Sequence, residues 1–192
     1  MKRLIALLSV LALAVASRAE VEAYKIDPVH SSAEFSLRHV FSKFSSSFTK
    51  VTGTISVDRT DMEKSSVEAS IDVAALTTAN EKRDTHLKSP DFFEVAKFPT
   101  MTFKSTSWKK TGENTYDVTG DLTIKDVTKP VVLKTTVLGF GAGMGPGAFL
   151  SGWEATTSIK RSEFNMAGPA MLAKALGDEV AITINVEAGY KK

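Results

Sequence analysis

Apolar and polar residues alternate along most of this chain. Between residues 32 and 39, Ala33, Phe35, Leu37 and His39 share one face while Ser32, Glu34, Ser36 and Arg38 share the other. This is the two-residue period of a strand with one wet side. The period returns at Val51, Gly53, Ile55 and Val57, and at Val67, Ala69, Ile71 and Val73. It continues from Met101 and Phe103 to Lys110, and through Tyr116, Val118, Leu122 and Ile124. Val131, Leu133, Thr135 and Val137 follow, then Phe149, Trp153, Ala155 and Ile159, and last Val180, Ile182, Ile184 and Val186. Eight strands are predicted. Thr111 to Asn114, Asp126 to Pro130 and Gly141 to Gly147 supply turn chemistry between them. Long antiparallel strands curl closed, so an eight-stranded up-and-down barrel with room for a small ligand is expected; a two-sheet sandwich has the same periodicity.

Two stretches leave the pattern. Asn80 to Ala96 separates the third and fourth strands, and Asp91 with Glu94 three residues on predicts a short helix there. Pro169 to Leu176, with Gly177 as a stop, predicts a second. Both are expected to cap one mouth of the barrel.

The N-terminus alters the charge balance. Lys2 and Arg3 precede an apolar run from Leu4 to Ala16, and Ser17-Arg18-Ala19 offers a cleavage site. Residues 1–19 read as a removable signal peptide, too short to span a bilayer, leaving 20–192 as a single exported, periplasmic domain. Removing Lys2, Arg3 and Arg18 from the 24 basic residues leaves 21 against 22 acidic ones. A near-neutral chain gives no footprint for nucleic acid. There is no cysteine, which excludes a disulfide framework, thiol chemistry and a lipid-modified Cys.

Catalytic chemistry is sparse. No nucleophile elbow, P-loop or zinc-protease helix occurs, and Gly143 to Ala148 fits a dinucleotide fingerprint only without its helix. The three histidines, His30, His39 and His86, are not at metal-ligand spacing. His39, on an apolar face, is expected to be an interior hydrogen-bonded residue. Glu81-Lys82-Arg83-Asp84 reads either as a solvated turn or as a rim in which Arg83 and Asp84 pair. No metal and no cofactor are expected. The apolar inventory says more. Eleven Phe and six Met suit either a large core or a pocket for a lipid tail.

The segments Tyr24 to Asp27, His30-Ser31, Phe35 with His39, and Arg83-Asp84-x-His86-Leu87-x-Ser89-x-Asp91-Phe92-Phe93 resemble the YceI-like family of exported proteins. Phe98-Pro99, Phe103 with Ser105, Gly120 to Pro130, and Ile159-x-Arg161-x-x-Phe164 extend the resemblance over nearly the whole exported chain. It implies a lipocalin-like eight-stranded barrel with an apolar tunnel for a polyisoprenoid or similar long amphiphile. The expected role is a periplasmic carrier rather than an enzyme. The alternatives are an enzyme using His39 or His86 as a base, and a stress-related interaction module. A homodimer is compatible with the sequence. The candidate ligand contacts are Phe35, Leu37, His39, Phe44 and Phe48 on the early strands, and Arg83, Asp84, His86, Phe92, Phe93 and Phe98 in the cap. Met101, Phe103, Trp153 and Met171 complete them. Phe35, Phe92, Phe93 and Phe103 are expected to form cavity wall.

Overall fold

The computed structural model describes residues 21–191; the leader expected at 1–19 lies outside them. The strand segments are β1 (Val21–Ile26), β2 (Ser32–His39), β3 (Ser42–Phe48), β4 (Val51–Asp58), β5 (Ser66–Asp72) and β6 (Leu76–Thr77). After the helix α1 (Glu81–Lys88) come β7 (Thr100–Lys110), β8 (Thr115–Ile124), β9 (Val127–Ala142), β10 (Ala148–Lys160) and β11 (Leu176–Lys191). All pairings are antiparallel, and eight segments close a ring in the order β1-β4-β5-β7-β8-β9-β10-β11. β11 returns to β1 through Lys25↔Gly189 and Ile26↔Ala188. The molecule is therefore an eight-stranded antiparallel β-barrel.

The barrel's early strands are each interrupted. β1 and β2 both lie along β11, and the break between them is pinned to one residue: Asp27 N donates to the Glu187 carbonyl (2.9 Å) and Ser31 Oγ bonds both Glu187 O and N (3.2 Å each). β3 and β4 break at Thr49 and Lys50, and β5 and β6 break at a 3-10 turn, Val73–Ala75, capped by Asp72. Beyond the ring, β2, β3 and β6 form a flap that extends the sheet at one end. The count of eight expected from alternation agrees with the ring, although β2 stood in for β1. β3 is not among the eight strands that alternation gives, although Phe44 and Phe48 are placed on the early strands as candidate contacts, because serines dilute its alternation between them.

The caps differ from expectation. The α-helix is α1, not a helix at Asp91; Asn80 Oδ1 caps it by accepting from Arg83 N (3.0 Å), and it ends just before Ser89-Pro90. Residues 91–97 are successive turns. The Asp91 carboxylate bonds His86 instead of capping, and Glu94 has φ +50, which interrupts a helix. Pro169 to Leu176 contains only a 3-10 turn, Ala170–Leu172, because Leu176 and Gly177 already belong to β11. The turn expected at Asp126 to Pro130 is tighter: Pro130 sits in β9 opposite Asp121. β10 pairs with β9 only over Lys134–Ala142, so Pro130 lies where β9 has a free edge on that side, the setting in which a strand tolerates proline.

Inward-facing residues follow the alternation except where bulges reset it. Opposite Gly152 and Trp153 the register of β9 shifts at Leu138, so its inward face passes from Val137 to Phe140. A bulge between Ser105 and Ser107 resets β7, so Trp108 joins Met101 in the buried interior. Opposite them Gly120 leaves space for the Phe103 ring, with which a Cβ would collide.

Candidate functional site

The barrel is not filled. A cavity of about 540 Å³ runs through it, within the range of small-molecule sites. Its wall is almost wholly apolar: Val51 and Ile55 of β4, Met101 and Phe103 of β7, Val118 and Leu122 of β8, Leu133 of β9, Ala155 of β10, and Ile182, Ile184 and Val186 of β11.

One end is shut by packed aromatics. Trp153 meets Trp108 edge-on (5.8 Å, 89°) and Phe140 likewise (5.5 Å, 88°), and Tyr24 joins Phe140 and Tyr190 at 5.7 and 5.5 Å. Arg59 covers Phe140 at 3.7 Å. Trp153 Nε1 donates to Ser151 Oγ (2.9 Å), and Tyr24 Oη donates to Glu22 (2.8 Å). Burial, and then that carboxylate, push the Tyr24 pKa up. Trp108 Nε1 is the one buried side-chain polar atom without a hydrogen-bond partner among the described residues.

The charged and histidine wall residues gather at the other end. His39, Ser42 and Lys43 come from the β2–β3 hairpin, Arg83 and His86 from α1, and Arg161 from the turn after β10; Glu34 is the carboxylate among them. The cap is held by its own bonds. Asp84 accepts from Thr78 N (2.9 Å) and from Thr78 Oγ1. Arg83 donates to Thr78 Oγ1 (2.9 Å) and Thr78 O (2.8 Å) and lies 4.6 Å from the Phe44 ring centre. His86 Nε2 is 2.7 Å from Asp91 Oδ2, and its ring stands edge-on to Phe92. Gly168, with φ +70, passes so close over Phe92 that a side chain would strike the ring.

Of the candidate residues, Phe35, Leu37, His39, Phe44, Phe48, Arg83, His86, Phe92, Phe93, Met101, Phe103 and Trp153 border the cavity. Three do not. Asp84 is turned to Thr78, away from the wall. Phe98 packs outside, between the ammonium groups of Lys97 (4.8 Å) and Lys125 (5.9 Å). Met171 projects from its 3-10 turn, 86% exposed. His39 is exposed at the mouth, not an interior residue, and Arg83 bonds Thr78 instead of pairing with Asp84. Wall residues such as Ile55, Val118, Leu133 and Ile184 were legible as inward positions of their strands. Met166 and Leu172, which also border the cavity, lie in irregular segments with no periodicity to reveal them.

Among the described residues no hydroxyl is hydrogen-bonded to an imidazole, so no activated nucleophile is assembled at the mouth. One group has metal-ligand atoms close together, Asp27, His30 and Glu187, within 4.8 Å of one another. None of the three borders the cavity, and His30 Nδ1 is already bonded to Asp27 (2.8 Å). That contact raises the His30 pKa and lowers that of Asp27.

Comparison with known proteins agrees with this geometry. The YceI-like domain profile matches residues 24–188. A UPF0312 protein of Pseudomonas savastanoi is 36% identical over 184 residues, 94% of this chain and 95% of its own. Among solved structures, BcnA of Burkholderia cenocepacia superposes with TM-score 0.77 at 26% identity, covering 85% of this chain and 99% of its own. The Campylobacter jejuni YCEI protein gives 0.70 at 30% identity over 79% and 88%. A polyisoprenoid binding domain from Saccharophagus degradans, implicated in plant cell wall breakdown, gives 0.67 over 88% and 98%; at 17% identity it shares the fold.

Proposed function

This chain belongs to the YceI-like family, and from that premise we propose that it is an exported binding protein that holds one long-chain isoprenoid or similar amphiphile in its barrel. The observation that carries the reading is the apolar cavity, closed by aromatics at one end and bordered by polar side chains at the other. Each buried CH₂ contributes about 0.8 kcal/mol, against about 1 kcal/mol net for a neutral hydrogen bond to a head group. The tail therefore dominates affinity, and cavity depth sets selectivity. That the same fold forms a polyisoprenoid binding domain in the Saccharophagus protein supports an isoprenoid tail.

At the mouth, Arg83 is already committed to Thr78, whereas Lys43 has no ion-pair partner among the described residues. Lys43 is the cation best placed to meet an anionic or strongly polar head. Nothing in the reading requires turnover. Export rests on the basic start and short apolar run of residues 1–19. No helix among the described residues is long and apolar enough to cross a membrane.

Native mass spectrometry of gently purified protein tests the reading. One long-chain adduct per polypeptide, released on denaturation, is expected. A bare polypeptide mass, with no long-chain compound in an organic extract, would overturn it. N-terminal sequencing of the same sample is expected to start at Glu20 or within a few residues of it.

A further inference from the structure

The end of the barrel that bears the mouth carries apolar side chains that folding does not use. Phe41, at the tip of the β2–β3 hairpin, is 102% exposed, and Met171, on the 3-10 turn, is 86% exposed. Between them Val40 has φ +49, at a position of a two-residue hairpin turn where glycine is the usual occupant. A β-branched residue is held there by two bonds: Val40 N donates to the Ala175 carbonyl (2.7 Å), and Arg38 Nη1 donates to the Val40 carbonyl (2.8 Å). Ala175 N in turn donates to Leu172 O (2.9 Å), so hairpin tip and 3-10 turn form one fixed platform.

The charge around this platform is predominantly positive, with Glu34 as the mouth carboxylate set against it. No Asp or Glu occurs from Phe35 to Val57 or from Phe164 to Gly177, whereas Arg38, Lys43 and Lys174 are exposed within these stretches. Four other nearby carboxylates are engaged elsewhere: Asp178 accepts from Ser162, Glu179 from Ser158, Asp84 from Thr78, and Asp91 bonds His86. α1 adds Lys82, Arg83 and Lys88 against Glu81 and Asp84. The exported form as a whole is nearly neutral, so this end is cationic against the balance of the chain.

An exposed ring and an exposed thioether on a rigid support, surrounded by Lys and Arg, suit an interface in which the apolar tips enter the acyl boundary and the cations meet lipid phosphates. We propose that the mouth of the barrel docks on an anionic phospholipid bilayer through Phe41 and Met171, with Arg38, Lys43 and Lys174 around them. The surface is read from exposure and charge; its use, loading or unloading a lipid at the membrane, rests on the carrier reading. Docked in this way, the cavity opens onto the bilayer, and a tail transfers without crossing bulk water.

The test uses the absence of cysteine. An environment-sensitive dye is placed on Phe41→Cys and, as a control, on Met144→Cys, whose residue is 106% exposed in the β9–β10 turn. With phosphatidylglycerol-containing vesicles, the dye at 41 is expected to shift to the blue and that at 144 to stay unchanged. The double variant Phe41→Ser/Met171→Ser is expected to co-sediment with these vesicles at least about tenfold more weakly than wild type. Raising salt or replacing the lipid with phosphatidylcholine should weaken wild-type binding too. All forms share one N-terminus, so the difference reports the two side chains, and both are exposed, so thermal stability should not fall. Absence of vesicle binding, an equal dye response at 144, or undiminished binding by the double variant would each overturn the proposal. So would a wild-type dimer that the double variant dissolves while vesicles stay bare. Native mass spectrometry of the double variant separates the two readings: a retained ligand without docking refutes the surface, whereas docking by a protein that never holds a ligand refutes the carrier.

Discussion

His30 and Asp27 show how much a single exposed pair reports on the fold. Their contact holds the break between β1 and β2 against Glu187 of β11. The hydrogen bond with Asp27 raises the His30 pKa above the ordinary 6.5. A raised native pKa means a contribution that is complete below the unfolded value and lost as pH rises through the native one. Asp27 behaves in the opposite sense: its pKa is lowered from 3.8, so its contribution holds above that value and is lost as pH falls through the native one. The pair supports the barrel most where both are charged. Urea midpoints of wild type should therefore decline as pH rises from about 6 to about 8, and His30→Gln should flatten that decline. A parallel decline in both proteins would show that the pair is not coupled to folding. Asp84 is the contrasting case. Thr78 is buried, and its N–H and hydroxyl both lean on the Asp84 carboxylate. Asp84→Ala leaves them without an acceptor and is expected to cost about 1–3 kcal/mol by urea unfolding, with bound-ligand chain length unchanged. Lys43→Ala, at an exposed rim position, should leave the urea midpoint unchanged and weaken binding of amphiphiles with an anionic head, by ligand-displacement titration.

At the scale of elements, the cap is the separable part. α1 buries no residue of its own, and its start rests on the Asn80 cap. Asn80→Ala is expected to cost about 1 kcal/mol and to speed hydrogen exchange over 78–97 while the ring strands keep their protection. Uniform acceleration would mean that cap and barrel open together. The elements also show what alternation can and cannot reveal. β4, β5, β8 and β11 were readable because each buries one face, so every second residue had to be apolar. β3 was not, because in the flap Ser42 to Ser47 are largely in contact with solvent or the mouth. Asp91 and Glu94 carried the local signal of a helix start, but a tertiary contact took Asp91 to His86. The Arg83-Asp84-x-His86 motif was legible as chemistry, while its partners were not: Thr78, which unites Arg83 and Asp84, gives no sign in sequence of being their anchor. Phe98 and Met171 look like wall residues by type, and only the packing of Lys97 and Lys125, and the brevity of the 3-10 turn, place them outside.

For the whole molecule, a carrier of this shape would hold its tail with the end at the aromatic plug. The chain's two tryptophans, Trp108 and Trp153, both lie in that plug and border the cavity. Their fluorescence therefore reads the deep end directly. Ala155, the next inward position of β10 after Trp153, also borders the cavity, and Ala155→Phe would fill the space in front of the plug, at little cost where open space receives the ring. The decisive measurement is a titration of wild type and Ala155→Phe with amphiphiles of increasing tail length, each carrying a heavy-atom quencher at the tail end. Saturation at one ligand per chain is expected, with tryptophan quenching that appears only once the tail is long enough to reach the plug, and that Ala155→Phe abolishes. Quenching absent at every length, or equal at all lengths and in both proteins, would contradict the account.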